Sequence, residues 1–439
     1  MEIQSLATDN CICGRAHQIP IAQIEIGVGL LETLNSKIVS LGDFQRILLV
    51  ADENTWPLAG AKLKESLSWD FQVDEVILKK GFRADEESIE KVLSSITTAP
   101  DLFLAVGSGT LTDLVRYLAA SKNTPFISIP TAPSMDGYAS TVAAMTLKGF
   151  KVTKPAKPPL AIFGDLEILT SAPKRMILAG AADLLGKYTA LADWILAREM
   201  TGEYYCPLVS KMVAEAVVSC QEDLIARGTT DPGAIEKLMW GLIISGIGIL
   251  MVGNSRPASG SEHHLSHFWE LKGQLTGSEE LLHGEKVAVG TVLSLAAYEF
   301  LNRQDPKSLK FDPAWRTGGL SFEEYQRELE KAYGPLAAEL SVLDQRPETE
   351  KEPCDFFPKL SLALQKAKVP TRSSLEEILG TIGAPVNYED LDLPKAWVKQ
   401  GLLYGREVWE RYTILTLLAQ LGLSGTFAAE LLEKRERLE

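Results

Sequence analysis

Three of the five histidines in the chain fall within one stretch, GSEHHLSHFWE, from Gly260 to Glu270. His263 and His267 are four residues apart, which places both imidazoles on one face of a helix. Ser261 is a candidate cap for that helix. A further imidazole, His283, begins HGEKVAVGTVLSLAA, the start of another helical run. Upstream, Asp183 sits in the small, apolar run AGAADLLGKYTALADW, with Lys187 one turn later on the same face. A carboxylate in such a run needs a partner, which is either Lys187 or a cation. An aspartate and two histidines from three helices, Asp183, His263 or His267, and His283, would hold one divalent ion and leave open positions for a substrate, the layout of a catalytic centre. Glu262 precedes His263, so the H-E-x-x-H order of zinc proteases is absent. His264 belongs on the outer face or in a core contact.

A second candidate is AVGSGTLTD, Ala105–Asp113, where an apolar strand opens into a helix. Gly107 and Gly109 allow close approach of a pyrophosphate to the helix N-terminus and its unused N–H groups. Thr112 stands where a full G-x-G-x-x-G would have its last glycine, so the same turn also reads as a plain helix start. Asp52 ends another strand, where a carboxylate accepts from a ribose hydroxyl and repels a 2′-phosphate, favouring NAD over NADP. The alternative for Asp52 is a helix cap. PTAPSMDGYAST, Pro130–Thr141, supplies Thr131, Ser134, Asp136 and Ser140 at the end of a third strand, all able to hydrogen-bond a nucleotide or polyol. A third cluster, Cys11, Cys13 and His17, forms C-x-C-G-x-x-H. No second pair follows at finger-like spacing, so the expectation is a solvent-facing loop, with half a zinc site as the alternative.

The elements that must position these residues come in two textures. Up to about residue 168, short β-branched runs alternate with helical ones. Candidate strands are Ile19–Gly27, Arg46–Asp52, Val73–Lys80, Asp101–Gly109, Pro125–Thr131 and Leu160–Asp165, with a hairpin or loop insertion at Lys148–Pro159. This predicts an α/β N-terminal domain, residues 1–168, with a doubly wound, Rossmann-like parallel sheet. Beyond it, apolar-periodic segments such as Pro173–Met200, Pro207–Ala226, Ile235–Val252, Gly284–Leu301 and Leu393–Leu421 predict an all-helical, metal-binding domain over residues 169–439. Asn302–Lys368 is polar and irregular.

The bulk numbers fit a globular protein: 439 residues, 46% hydrophobic and 23% charged. A net charge of −14 argues against nucleic acid and anionic membrane partners. Leu238–Gly253 is the most apolar stretch, but it is shorter than the roughly 20 residues a membrane span needs and holds four glycines, so a closely packed buried helix is expected. Five cysteines and no basic leader place the chain in a reducing cytoplasm. Large apolar helical domains often pair, so a homodimer is expected.

In that order, GSGTLTD, TAPSMDGYAST, GAADLLGK, SGSEHHLSH and HGEKVAVGT resemble the superfamily of metal-dependent alcohol dehydrogenases and dehydroquinate synthases, and within it the sn-glycerol-1-phosphate dehydrogenase branch. The resemblance spans roughly Ile19–Leu301. It implies a dehydroquinate synthase-like fold and NAD(P)-dependent hydride transfer between dihydroxyacetone phosphate and sn-glycerol 1-phosphate. It implies metal ligation by Asp183, His263 and His283, with Asp136, His267 and Asp183 at the substrate. Asp52, Gly107, Ser108, Gly109, Thr110, Leu111, Asp113, Thr131, Ser134 and Ser140 would line the NAD site. Several iron-dependent members have histidine four residues after the aspartate. Here it is Lys187, which leaves zinc, nickel and iron all open. Lys187, Arg256 and Lys286 are candidates for a phosphate clamp. Without one, the same scaffold would serve a glycerol or other polyol dehydrogenase. A dehydroquinate synthase-like lyase is a further alternative.

Overall fold

The computed structural model describes residues 6–148, 150–278, 281–338, 340 and 350–436. The chain divides into two compact units, Met1–Leu184 with Pro207–Ser255, and Leu185–Cys206 with Arg256–Glu439. This differs from the division expected at 168/169. The reason is that helices α6 (Lys174–Leu185), α8 (Pro207–Arg227) and α9 (Pro232–Val252) pack with the sheet, although their apolar periodicity matches that of the second unit.

In the first unit, β1 (Gln23–Gly27), β2 (Arg46–Asp52), β3 (Gln72–Leu78), β4 (Leu102–Gly107), β5 (Phe126–Pro130) and β8 (Ala161–Asp165) form one six-stranded sheet, ordered β1-β8-β5-β4-β2-β3. Every pairing is parallel. The six expected strands are these six. Alternate residues feed two cores. Ile47, Leu49, Leu104 and Ile129 face α1 (Leu34–Leu41) and α2 (Ala61–Leu67). Leu48, Val50, Phe103 and Ala105 share the other face with residues of α3 (Glu86–Ser94) and α4 (Gly109–Lys122). The expected insertion is an antiparallel hairpin, β6 (Val142–Leu147) and β7 (Phe150–Pro155), whose Ala143 and Met145 join that second core. A short α5 (Leu166–Thr170) follows β8.

The glycines of the apolar helices mark close approach. A Cβ on Gly180 of α6 would lie 1.8 Å from the Pro133 carbonyl oxygen, and one on Gly246 of α9 would lie 2.6 Å from that of Asp136. Both helices therefore press on the Pro130–Thr141 loop. α9 is long and apolar enough to cross a membrane by composition, but most of it is buried inside the unit.

The second unit is helical: α7 (Lys187–Thr201), α10 (Ser261–Thr276), α11 (His283–Asn302), α12 (Phe322–Tyr333), α13 (Phe356–Lys366), α14 (Arg372–Ile382), α15 (Lys395–Tyr404), α16 (Ile414–Gln420) and α17 (Ser424–Glu436). The single helix expected over Pro173–Met200 is two, α6 and α7, broken at Gly186. The segment read as irregular contributes Phe311, Trp315, Tyr325, Tyr333 and Phe356 to the core. These apolar anchors lie too far apart in sequence to register as periodicity. α10 and α11 pack at Gly290, where an added Cβ would stand 2.5 Å from the Glu262 carbonyl oxygen. Backbone cannot yield as a flexible side chain can. Gly290→Ala is therefore expected to destabilise the protein by about 2 kcal/mol, read as a lower midpoint in thermal or urea unfolding.

Candidate active site

β2 leads outward to β3 and β4 leads the other way to β5, so the β2/β4 boundary is the switch point of the sheet, where open α/β folds bind ligands. Asp52 and Gly107 end these two strands. Ser108 precedes α4 in an extended conformation with no side-chain cap hydrogen bond. The first amides of α4, at Gly109, Thr110 and Leu111, lack intrahelical acceptors, as in any helix, and face the region where an anion would sit. Asp52 is buried, and its Oδ1 accepts from the amides of Asn54 at 2.7 Å and Thr55 at 2.9 Å. Asp52 thus closes the turn that follows β2, while the helix beyond it begins at Thr55.

The Pro130–Thr141 loop is fixed from several sides. The Thr131 amide donates to the Gly107 carbonyl at 3.1 Å, and the Tyr138 hydroxyl donates to the Ala132 carbonyl at 2.6 Å. Ser134 Oγ lies 3.4 Å from that hydroxyl, and Ser140 Oγ accepts from the Val142 amide. Arg116, fully buried on α4, donates to the carbonyls of Gly137, Tyr138 and Val142. Asp113, expected along the cofactor, is the carboxylate partner of that guanidinium. Arg116 was not anticipated, although an arginine inside an apolar helix three residues after an aspartate was a usable signal. Below the loop, Asp183 is fully buried and its Oδ2 accepts from the Asp136 amide at 3.0 Å. Ser245 of α9 donates to Asp136 Oδ2 at 2.8 Å.

Within the second unit, α10 and α11 bring the expected imidazoles together. Ring centroids are 5.0 Å apart for His263 and His283, 5.4 Å for His267 and His283, and 6.1 Å for His263 and His267. Each ring is held at Nδ1 by a carboxylate. Glu262 Oε1 lies 2.8 Å from His263 Nδ1. Glu270 reaches His267 Nδ1 at 2.7 Å and His283 Nδ1 at 3.2 Å. A carboxylate on Nδ1 makes that nitrogen the donor and leaves Nε2 to accept, ligate or carry a proton.

Sequence reasoning missed both glutamates as orienting groups. It used Glu262 only to exclude a protease, and Glu270 lies three residues beyond His267. Glu262 is fully buried, and burial pushes its carboxyl up. The Thr189 hydroxyl at 2.6 Å, the Gly260 amide at 2.6 Å and the charge of Lys187 all oppose that shift. Lys187 is itself fully buried.

The expected Ser261 cap is replaced by a remote one. Asp193 of α7 accepts from the Ser261 amide at 2.7 Å, from Tyr298 and from the Ile414 amide, and burial pushes its carboxyl up to about 6. His264 is buried edge-on to Trp409, and burial keeps it neutral. Arg256 is forked onto Glu203 and donates to the Tyr412 carbonyl at 3.0 Å, which commits it to structure and removes it as a clamp. Lys286 donates to the Leu281 carbonyl and lies 3.4 Å from Glu270, beside His283.

Residues 25–173 match the family model described as iron-containing alcohol dehydrogenase. The chain is 33% identical to a glycerol-1-phosphate dehydrogenase [NAD(P)+] of Bacillus licheniformis over 94% of its own length and 92% of that protein. It is 41% identical to the Bacillus subtilis protein of the same name over 62% of this chain and 70% of that one. Among solved structures, a glycerol dehydrogenase from Schizosaccharomyces pombe superposes with a TM-score of 0.61 at 15% identity, covering 94% of this chain and 92% of that one. That likeness supports the fold alone.

The glutamate anchors generate a prediction. Glu262→Gln keeps the shape of the side chain and removes the charge that faces His263 Nδ1. Affinity for a divalent metal should fall about 10- to 100-fold, measured by chelator competition, with the far-ultraviolet circular dichroism unchanged.

Proposed function

The chain belongs to the iron-containing alcohol dehydrogenase family, and we propose that it is a metal- and NAD(P)-dependent oxidoreductase that interconverts dihydroxyacetone phosphate and sn-glycerol 1-phosphate. The substrate follows the name of relatives that match nearly the whole chain. The observation that carries the chemistry is the set of imidazoles anchored at Nδ1 by Glu262 and Glu270, which frees each Nε2 for a ligand or a proton.

In this reading Asp183, His263 and His283 hold one divalent ion. One carboxylate and two imidazoles suit zinc, nickel or iron, and full burial of Asp183 demands a partner of opposite charge or a set of donors. When bound, such an ion supplies Lewis-acid stabilisation of negative charge on the substrate oxygen. The residues of the chain do the rest. His267 carries the proton that the reduced carbonyl oxygen needs, and Glu270 on Nδ1 stabilises its imidazolium form. Asp136, braced by Ser245, is placed to accept from a substrate hydroxyl. Reduction consumes one NADH and one proton per ketone and returns NAD and the alcohol.

The amides of Ser108, Gly109, Thr110 and Leu111 receive the pyrophosphate, with Thr131, Ser134 and Ser140 lining the nucleotide. Asp113 acts on that site through Arg116 and the loop it holds. Asp52, with Oδ1 engaged by backbone amides, turns its other oxygen to the ribose and favours NAD over NADP. The phosphate of the substrate is held by Lys286 or Lys187. A cytoplasmic homodimer completes the reading: a reducing compartment suits the N-terminal thiols, and sedimentation tests the assembly.

Metal-loaded protein should oxidise NADH with dihydroxyacetone phosphate, and the product should be refused by an sn-glycerol 3-phosphate dehydrogenase. Turnover of glycerol without any of dihydroxyacetone phosphate would overturn the substrate assignment. Asp183→Asn should lose bound metal and activity together. His267→Ala should keep its metal while kcat falls about 10²- to 10⁴-fold. Asp52→Ala should narrow the preference for NADH over NADPH by about tenfold, one carboxylate–phosphate repulsion being about 1.4 kcal/mol, read from the ratio of kcat/KM values.

A further inference from the structure

We propose a second metal site, a zinc ion held by Cys11, Cys13 and His17 of the first unit. It shares no residue with the set proposed for catalysis and does not depend on that reading. The expectation from sequence alone was a solvent-facing loop, yet His17 is only 1% exposed. Backbone hydrogen bonds close the segment on itself: the Thr8 amide donates to the His17 carbonyl at 3.0 Å, the His17 amide donates to Thr8 at 2.7 Å, and the Gly14 amide donates to Cys11 at 2.9 Å. This closure gathers both thiols and the imidazole, with their ligating atoms within 4.8 Å of one another.

The tautomer of His17 argues for a metal. Its Nδ1 lies 2.8 Å from the Met251 carbonyl oxygen near the end of α9. A carbonyl only accepts, so Nδ1 carries the hydrogen and Nε2 presents a lone pair. That lone pair lies 3.2 Å from Cys13 Sγ. Two ligands of one tetrahedral zinc, with Zn–S about 2.3 Å and Zn–N about 2.0 Å, stand about 3.5 Å apart. An imidazole with a carbonyl on one nitrogen and thiols at the other is the usual arrangement around a bound metal.

Two thiolates and one imidazole leave the fourth position of the ion to water. The ion ties the N-terminal loop to the end of α9.

The test uses the full chain, purified without chelator. Elemental analysis should find about one zinc per chain that persists in the His263→Ala/His283→Ala double variant and is lost in Cys13→Ser. Protein loaded with cobalt should show thiolate-to-cobalt charge-transfer absorption and the intense ligand-field bands of a tetrahedral site. Cys11→Ser should lower the charge-transfer intensity by about half, one thiolate in two. Absence of zinc from the histidine double variant, or cobalt protein without thiolate bands, would overturn the proposal. Should Cys13→Ser fail to fold, the cobalt spectrum of the unaltered protein decides.

Discussion

A carboxylate taken out of water is tolerated only where donors surround it, and two glutamates, Glu262 buried and Glu270 half-buried, meet that condition in the second unit. Glu262 collects a hydroxyl, an amide and an imidazole, with a lysine charge nearby. Glu270 collects two imidazoles and faces an ammonium. The histidines help to satisfy both carboxylates, and the carboxylates in turn orient the rings. The glycine contact between α10 and α11 brings the two helices close enough for a single glutamate to reach rings on both. Chemistry and packing are therefore one problem here, since the same few atoms settle the orientation of the rings and the electrostatics of the core.

The first unit solves an equivalent problem with a cation. A loop rich in small polar residues would wander if left to itself. Arg116 satisfies two of its carbonyls and that of Val142, where β6 begins, from inside the sheet's helical cover, and Asp113 compensates the charge. α6 and α9 press on the loop from below through residues without side chains. The result is a loop held in place before any ligand arrives, which lowers the ordering cost of whatever binds there.

Much of this was legible from residue order. The six strands could be read because each is a short apolar run closed by Gly, Asp or Pro, a pattern with a direct steric cause. Asp183, His263, His267 and His283 could be singled out because histidine is scarce and because an aspartate among alanines is costly. The unit boundaries could not be read, since α8 and α9 carry the same apolar periodicity as the helices of the other unit and periodicity does not say which core a helix joins. Glu262, Glu270 and Asp193 were illegible as site residues because charged side chains are common on helices, and only what they touch separates them from a solvated face. His17 was legible only as half of a zinc site: the C-x-C-G-x-x-H spacing was visible, but the carbonyl that fixes its tautomer lies 234 residues away.

The interleaving of the two units has a consequence for biogenesis. The ribosome releases all six strands of the sheet before residue 184, yet the helices that back the nucleotide loop from α9 belong to a stretch that begins only at Pro207. Between them the chain departs for 22 residues into a body whose remaining parts are still unsynthesised. A nascent chain halted near residue 184 would leave the loop without the contact that Gly246 of α9 makes with it. The sheet half is thus not a portable module, and attempts to graft it as a stand-alone nucleotide binder must carry Pro207–Ser255 along with it.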